Sequence, residues 1–115
     1  MKPLCKLKSV FKAIYSCEQK LKQEVHLTIN ECLALCCVFN GERNAGEIAG
    51  EIGISPSRIS RILGSLEKKE LIIRLVDEND KRKMIFELSL SGKTKMDMIK
   101  NVNMDFSELN FISEV

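Results

Sequence analysis

Tryptophan is absent from this chain, and tyrosine and histidine occur once each and proline twice. So little proline, with only six glycines and no low-complexity tract, excludes a collagen-like or disordered chain, and the 44% hydrophobic and 30% charged residues describe a globular one. Long apolar runs are missing too. The stretch from Cys32 to Phe39 falls far short of the ~18 residues a spanning helix needs. Met1-Lys2-Pro3 opens no secretory hydrophobic segment, so a cytoplasmic location is expected. One histidine, with no G-x-S-x-G, no P-loop and no G-x-G-x-x-G, leaves no catalytic set; neither enzymatic activity nor a cofactor is expected. The 115 residues fit a single domain, 1–115.

Cysteine is present in an odd set, at positions 5, 17, 32, 36 and 37, with no secretory context to favour a disulfide framework, and reduced thiols are expected. Cys32 and Cys36, one turn apart on a helix, stack in parallel and read as small core hydrophobes. His26, Cys32, Cys36 and Cys37 lack zinc-type ligand spacing, so no metal site is expected. Net charge is only +2, yet residues 55–83 hold eight cations (Arg58, Arg61, Lys68, Lys69, Arg74, Lys81, Arg82, Lys83) against five acids, while residues 101–115 are purely acidic.

Leu4, Leu7, Phe11, Ile14, Glu18, Leu21 and Val25 form a heptad seam with one polar interruption, predicting a long amphipathic helix over 3–25 with Pro3 in its first turn. Such a seam on so short a chain calls for cover by a second subunit or by the chain's own last helix. Thr28 to Glu31 fits a capping box that starts a second helix, apolar nearly all round and ending near Asn40-Gly41.

Asn44 to Glu47 offers another capping box, followed by Ile48, Ala49, Ile52, Gly53, Ile54, Ser55-Pro56, Ile59, Ile62, Leu63 and Leu66. Gly53 permits the left-handed turn that ends one short helix, Ser55 and Pro56 start the next, Ala49 allows close approach, and five isoleucines point inward. That is a helix-turn-helix pattern. Gly46 and Gly50 read as helix-packing positions. The second helix of such a motif enters the major groove by its N-terminal half, where Ser55, Ser57, Arg58, Ser60 and Arg61 are the exposed candidates for DNA contact.

Past Glu70 the period becomes strand-like: Leu71 to Val76, a charged turn over 77–83, then Met84 to Leu88, a hairpin with Lys81, Arg82 and Lys83 at its tip. Such a tip suits the DNA backbone or a minor groove, and Asp80 is expected to pair with a neighbouring cation and stiffen it. Ser89 caps a last helix whose apolar face runs through Met96, Met98, Ile99, Val102, Phe106, Leu109 and Ile112. The predicted architecture is mainly α with a small β-hairpin wing (α+β), a winged helix-turn-helix lobe over 28–88 between terminal helices over 3–25 and 90–113, the pair that the resemblance described next makes dimerisation helices.

The run Ile48-Ala49 through Leu66, then Glu67-Lys68-Lys69-Glu70-Leu71-Ile72, the wing Asp80-Lys81-Arg82-Lys83, and Leu88-Ser89-Leu90-Ser91-Gly92 together resemble the MarR-type winged-helix transcription regulators of bacteria and archaea. The resemblance covers residues 28–95. It implies a prokaryotic regulator of double-stranded DNA, homodimeric through its terminal helices, with a recognition helix in each of two major grooves, Arg82 in a minor groove and Asp80 bracing it. Leu4, Leu7, Phe11, Ile14, Leu21, Phe106 and Leu109 are then the interface candidates. Relatives carry more helix after the wing, which implies a differently built interface and a small-molecule effector pocket that is shallow or absent. Some relatives sense oxidants through a thiol on the first helix, which makes Cys5 and Cys17 candidates for redox sensing here. Two other readings stay open: a thiol-based redox-sensing variant, and a winged helix used only to bind proteins.

Overall fold

The computed structural model describes residues 2–104. Five helices and one hairpin follow in the order α1 (Pro3–Val25), α2 (Ile29–Phe39), α3 (Ala45–Ile52), α4 (Pro56–Lys68), β1 (Ile72–Val76), β2 (Met84–Leu88) and α5 (Leu90–Lys100). The strands are antiparallel, in register from Ile72 opposite Leu88 to Val76 opposite Met84.

Local chemistry sets these boundaries. Thr28 Oγ1 accepts the Glu31 N–H at 3.1 Å while the Glu31 carboxylate accepts the Thr28 N–H at 3.0 Å, and Asn44 with Glu47 repeats the exchange before α3. Gly53 ends α3 at φ 85°, and Ser55 starts α4 by accepting the Arg58 N–H. Two turns use the left-handed region without glycine: His26 (φ 60°) ends α1, and Glu70 (φ 61°) follows α4, where the Leu71 N–H returns to the Leu66 carbonyl at 3.0 Å.

The core is shared by α1, α2, the helix-turn-helix and the hairpin base: Leu21, Val25, Leu35, Ile48, Ile59, Leu63, Leu66, Ile72 and Phe86 are all buried within the single chain. Of the five inward isoleucines, Ile48 and Ile59 are fully buried, while Ile52, Ile54 and Ile62 are partly so. Several expectations need correction. The α1 seam splits: Leu21 and Val25 join Ala13 and Cys17 in the chain's own core, so Leu21 has no surface left for a second subunit. Leu4, Leu7 and Phe11 remain exposed and Ile14 half-buried. In α2, Leu33 and Phe39 stay exposed, the Phe39 ring lying 4.1 Å under the Lys100 ammonium, so the helix is not buried all round.

Nor does the last helix run on to 113. It ends at Lys100, with Asn101 as its cap, because the chain turns back: Val102 buries itself, Lys20 donates to the Asn103 carbonyl and Cys17 Sγ meets Met104 Sδ at 2.9 Å. Phe106, Leu109 and Ile112 lie outside the described residues. The glycines of α3 also differ from expectation. A side-chain carbon built at Gly50 meets nothing within 4 Å, and one at Gly46 meets only Asn44 Oδ1 at 3.4 Å, so helix packing requires neither.

Glu31 links two halves of the lobe. The residue is 3% exposed, and its carboxylate accepts from Lys69 Nζ at 2.8 and 2.9 Å and from Ser65 Oγ at 2.7 Å, tying the start of α2 to the end of α4. Burial pushes this carboxyl up, but the bonds from Lys69, Thr28 and Ser65 outweigh it and hold the group below its ordinary value.

Candidate nucleic-acid interface

The four sides of α4 have different neighbours. Ile59, Leu63 and Leu66 face the core. Toward α2, Ser65 reaches Glu31, and Arg58 and Arg61 line an open hollow of about 330 Å³ with Glu18, Thr28, Asn30 and Ile62. Toward the wing, Glu67 accepts from Arg74 Nη2 at 2.7 Å, and Ser60 shares a hollow with Arg74, Met84 and Phe86. The remaining side carries Ser57, Gly64 and Lys68, with Arg61 at its border with the α2 side, at spacings of 4, 3 and 4 along one stripe of the helix. Ser55, Ser57, Arg58, Ser60 and Arg61 are all exposed, with Ser55 Oγ and Ser57 Oγ 3.2 Å apart. Lys68, which sequence reading counted only as part of a cationic stretch, extends the outward stripe; its spacing from Arg61, opposite Ile59, Leu63 and Leu66, was the available signal.

The wing tip is ordered by its own acids. Asp77 accepts the Asn79 N–H at 2.9 Å and Asp80 the Arg82 N–H at 3.1 Å, two Asx turns, and the Lys83 N–H donates to the Asp80 carbonyl. Arg82 Nε lies 3.4 Å from Asp80 Oδ1 while its side chain is 92% exposed, so Asp80 holds the base of a guanidinium that projects into solvent. Lys81 and Lys83 flank it, exposed.

Cations nearer the body are engaged. Arg74 pairs with Glu67 and stacks 5.5 Å over Phe86, its cross-strand partner, which fixes the hairpin against α4. Arg43 pairs with Glu87, and its carbonyl accepts the Phe86 N–H at 2.8 Å. Lys69 pairs with Glu31. Among the described residues no carboxylate pairs with Arg58, Arg61, Lys68, Lys81 or Lys83. The eight cations of 55–83 therefore divide into those that hold the lobe together and those that leave it charged.

All five thiols are free. Cys17 is buried, and that burial, then Glu18, raises its pKa; burial pushes Cys32 up to about 12 and Cys37 to about 11. These three are the less nucleophilic for it. Cys5 is exposed at the projecting end of α1. Among the described residues no cluster of histidine, cysteine and acids could hold a metal ion, and no helix is long and apolar enough to cross a membrane. Where α1 ends, α5 and the end of α4 border a solvent-open hollow of about 560 Å³ that includes His26, Leu27, Lys69, Lys95 and Met98.

A search of curated proteins returns no match. Among solved structures, wild-type MarR from E. coli in its apo form is similar at a TM-score of 0.80 and 18% identity, over 99% of this chain and 85% of that one. CouR, a transcriptional repressor bound to a 23-mer DNA duplex, is similar at 0.76 and 23%, over 83% and 67%. A mutant of MepR from S. aureus bound to an oligodeoxyribonucleotide is similar at 0.71 and 23%, over 92% and 78%. At these identities the likeness shows the winged-helix fold. A family model for the MarR family matches residues 27–84, half of the chain, from the α1–α2 junction into β2, so this chain belongs to the MarR family of winged-helix transcription regulators.

Proposed function

We propose that the protein is a sequence-specific regulator of double-stranded DNA, acting as a homodimer on a pseudo-palindromic operator with α4 in the major groove and the wing in the adjacent minor groove. The observation that carries this reading is the division of charge: two projecting elements, α4 and the wing tip, present Arg58, Arg61, Lys68, Lys81 and Lys83 without carboxylate partners among the described residues, and Arg82 almost fully exposed. Unneutralised cations on a convex helix and loop match the phosphates and groove edges of a duplex. The DNA-bound MepR and CouR structures support the reading through the shared fold. Residues 28–88 form the DNA-binding lobe, and the segments 3–25 and 90–113 serve dimerisation. A small-molecule effector would find its place in the open hollow beside His26 and Lys95.

The roles of the arginines separate experimentally. Arg58→Ala and Arg61→Ala each remove a candidate base contact, worth about 1–3 kcal/mol on the operator, and blur preference at one base pair. Arg82→Ala weakens all duplexes more evenly and lowers the salt slope by about one per subunit. Affinities of the three variants on operator and scrambled duplex across a salt series test this. If Arg82→Ala alone abolishes operator preference, α4 is not the reader.

A further inference from the structure

Gly64 has no internal reason to be glycine. It sits in the middle of α4, and a side-chain carbon built there meets nothing within 4 Å. A glycine inside a helix weakens it relative to alanine, so packing, conformation and stability would all accept a larger residue. The open space there leaves room for close approach by something outside the chain.

Its neighbours say from which side. Among the described residues Gly64, itself half-buried, lies on the side of α4 turned away from the buried Ile59, Leu63 and Leu66, between Arg61 and Lys68 in the stripe. A helix that enters a major groove by its N-terminal half brings its third turn past the groove wall, where the sugar-phosphate chain runs. Resting on the DNA-binding reading above, we infer that Gly64 is the point of closest approach between the recognition helix and the DNA backbone, and that Lys68, one turn further on, holds a phosphate there. The interface thus extends past the N-terminal half of α4 to its last turn. Arg61, the candidate base contact, precedes this backbone contact along the stripe, and Lys68 marks its far end.

The test uses the full chain with a mixed-sequence duplex of about three helical turns, followed by fluorescence anisotropy across a salt series. Gly64→Ala and Gly64→Gln both improve helix propensity, so each is expected to raise Tm by a few degrees. Affinity is expected to move the other way, by about tenfold for alanine and further for glutamine. Lys68→Gln is expected to leave Tm unchanged and lower the salt slope by about one per subunit. Opposite signs for stability and binding are what a purely structural glycine does not produce. Gly64 variants that gain stability and bind as tightly as wild type overturn the inference, as do variants that lose both. Wild-type protein without salt-sensitive duplex binding is a different result, which overturns the DNA-binding reading itself.

Discussion

Gly92→Ala is expected to be the most destabilising single-methyl change in the described part of the molecule. The new carbon would fall far inside van der Waals contact with the Leu71 carbonyl oxygen and 3.1 Å from the Leu71 carbonyl carbon, backbone atoms that no rotamer change can move aside. Those atoms are pinned in turn. The Ser89 N–H donates to the Leu71 carbonyl at 3.1 Å, Ser89 Oγ donates to the Glu70 carbonyl at 2.6 Å, and the same hydroxyl accepts the Gly92 N–H at 2.9 Å to cap α5. The first turn of α5 therefore sits directly on the turn leaving α4, and only a residue without a side chain fits. Relief requires lifting α5 from the lobe and breaking the cap, so a loss of about 3 kcal/mol or more is expected, against a total of about 5–15 for a domain. Ser89→Ala, which removes the cap and the Glu70 bond without a clash, should cost about 1 kcal/mol. Urea midpoints measure both, and a Gly92→Ala shift no larger than that of Ser89→Ala would show that the backbone yields easily.

Phe11→Asp is expected to give monomers while the lobe stays folded. Phe11 is 48% exposed, Leu4 74%, and the Phe11 and Tyr15 rings lie 6.1 Å apart on the half of α1 that projects beyond the core. Nothing in the single chain covers this surface among the described residues, so a charge there has little to disrupt in a monomer and much in a paired helix. Leu21→Asp should instead unfold the chain, because Leu21 is 2% exposed within one subunit. If two lobes bind two half-sites as one unit, losing the link should weaken operator binding by about 10²- to 10⁴-fold while leaving single-lobe contacts intact. Sedimentation velocity and operator affinity check both halves of this. A Phe11→Asp protein that still sediments as a dimer places the interface elsewhere.

Much of this architecture is legible in the sequence because its signals are local. Capping boxes at Thr28 and Asn44, the Ser55-Pro56 start and the left-handed Gly53 each act within four residues, and each stands where the spacing predicts. The hairpin was equally readable, since β-branched runs flank an acid-rich turn whose Asx geometry needs only neighbouring amides. What the sequence hides is long-range. Val25 and Phe11 occupy equivalent places in one heptad seam, and only the fold shows that one belongs to the core and the other to the surface. Lys69 and Arg74 look like Arg61 in a charge count, yet Glu31 and Glu67, 38 and 7 residues away, neutralise them. Gly92 stands in the sequence only as the glycine of a helix-start motif, and the reason it must be glycine shows when the Leu71 carbonyl lies against it. The early end of α5 is of the same kind: apolar periodicity continues through Val102, but contacts to α1 turn the chain after Lys100.

Selection of bound duplexes from a random library tests the central claim most directly, because it reports sequence preference, symmetry and spacing together. A homodimer with one α4 in each of two major grooves predicts enrichment of a pseudo-palindrome whose half-sites lie about 10 base pairs, one helical turn, apart. Recovery of the unselected library composition, or of a lone half-site without a symmetric mate, would contradict it.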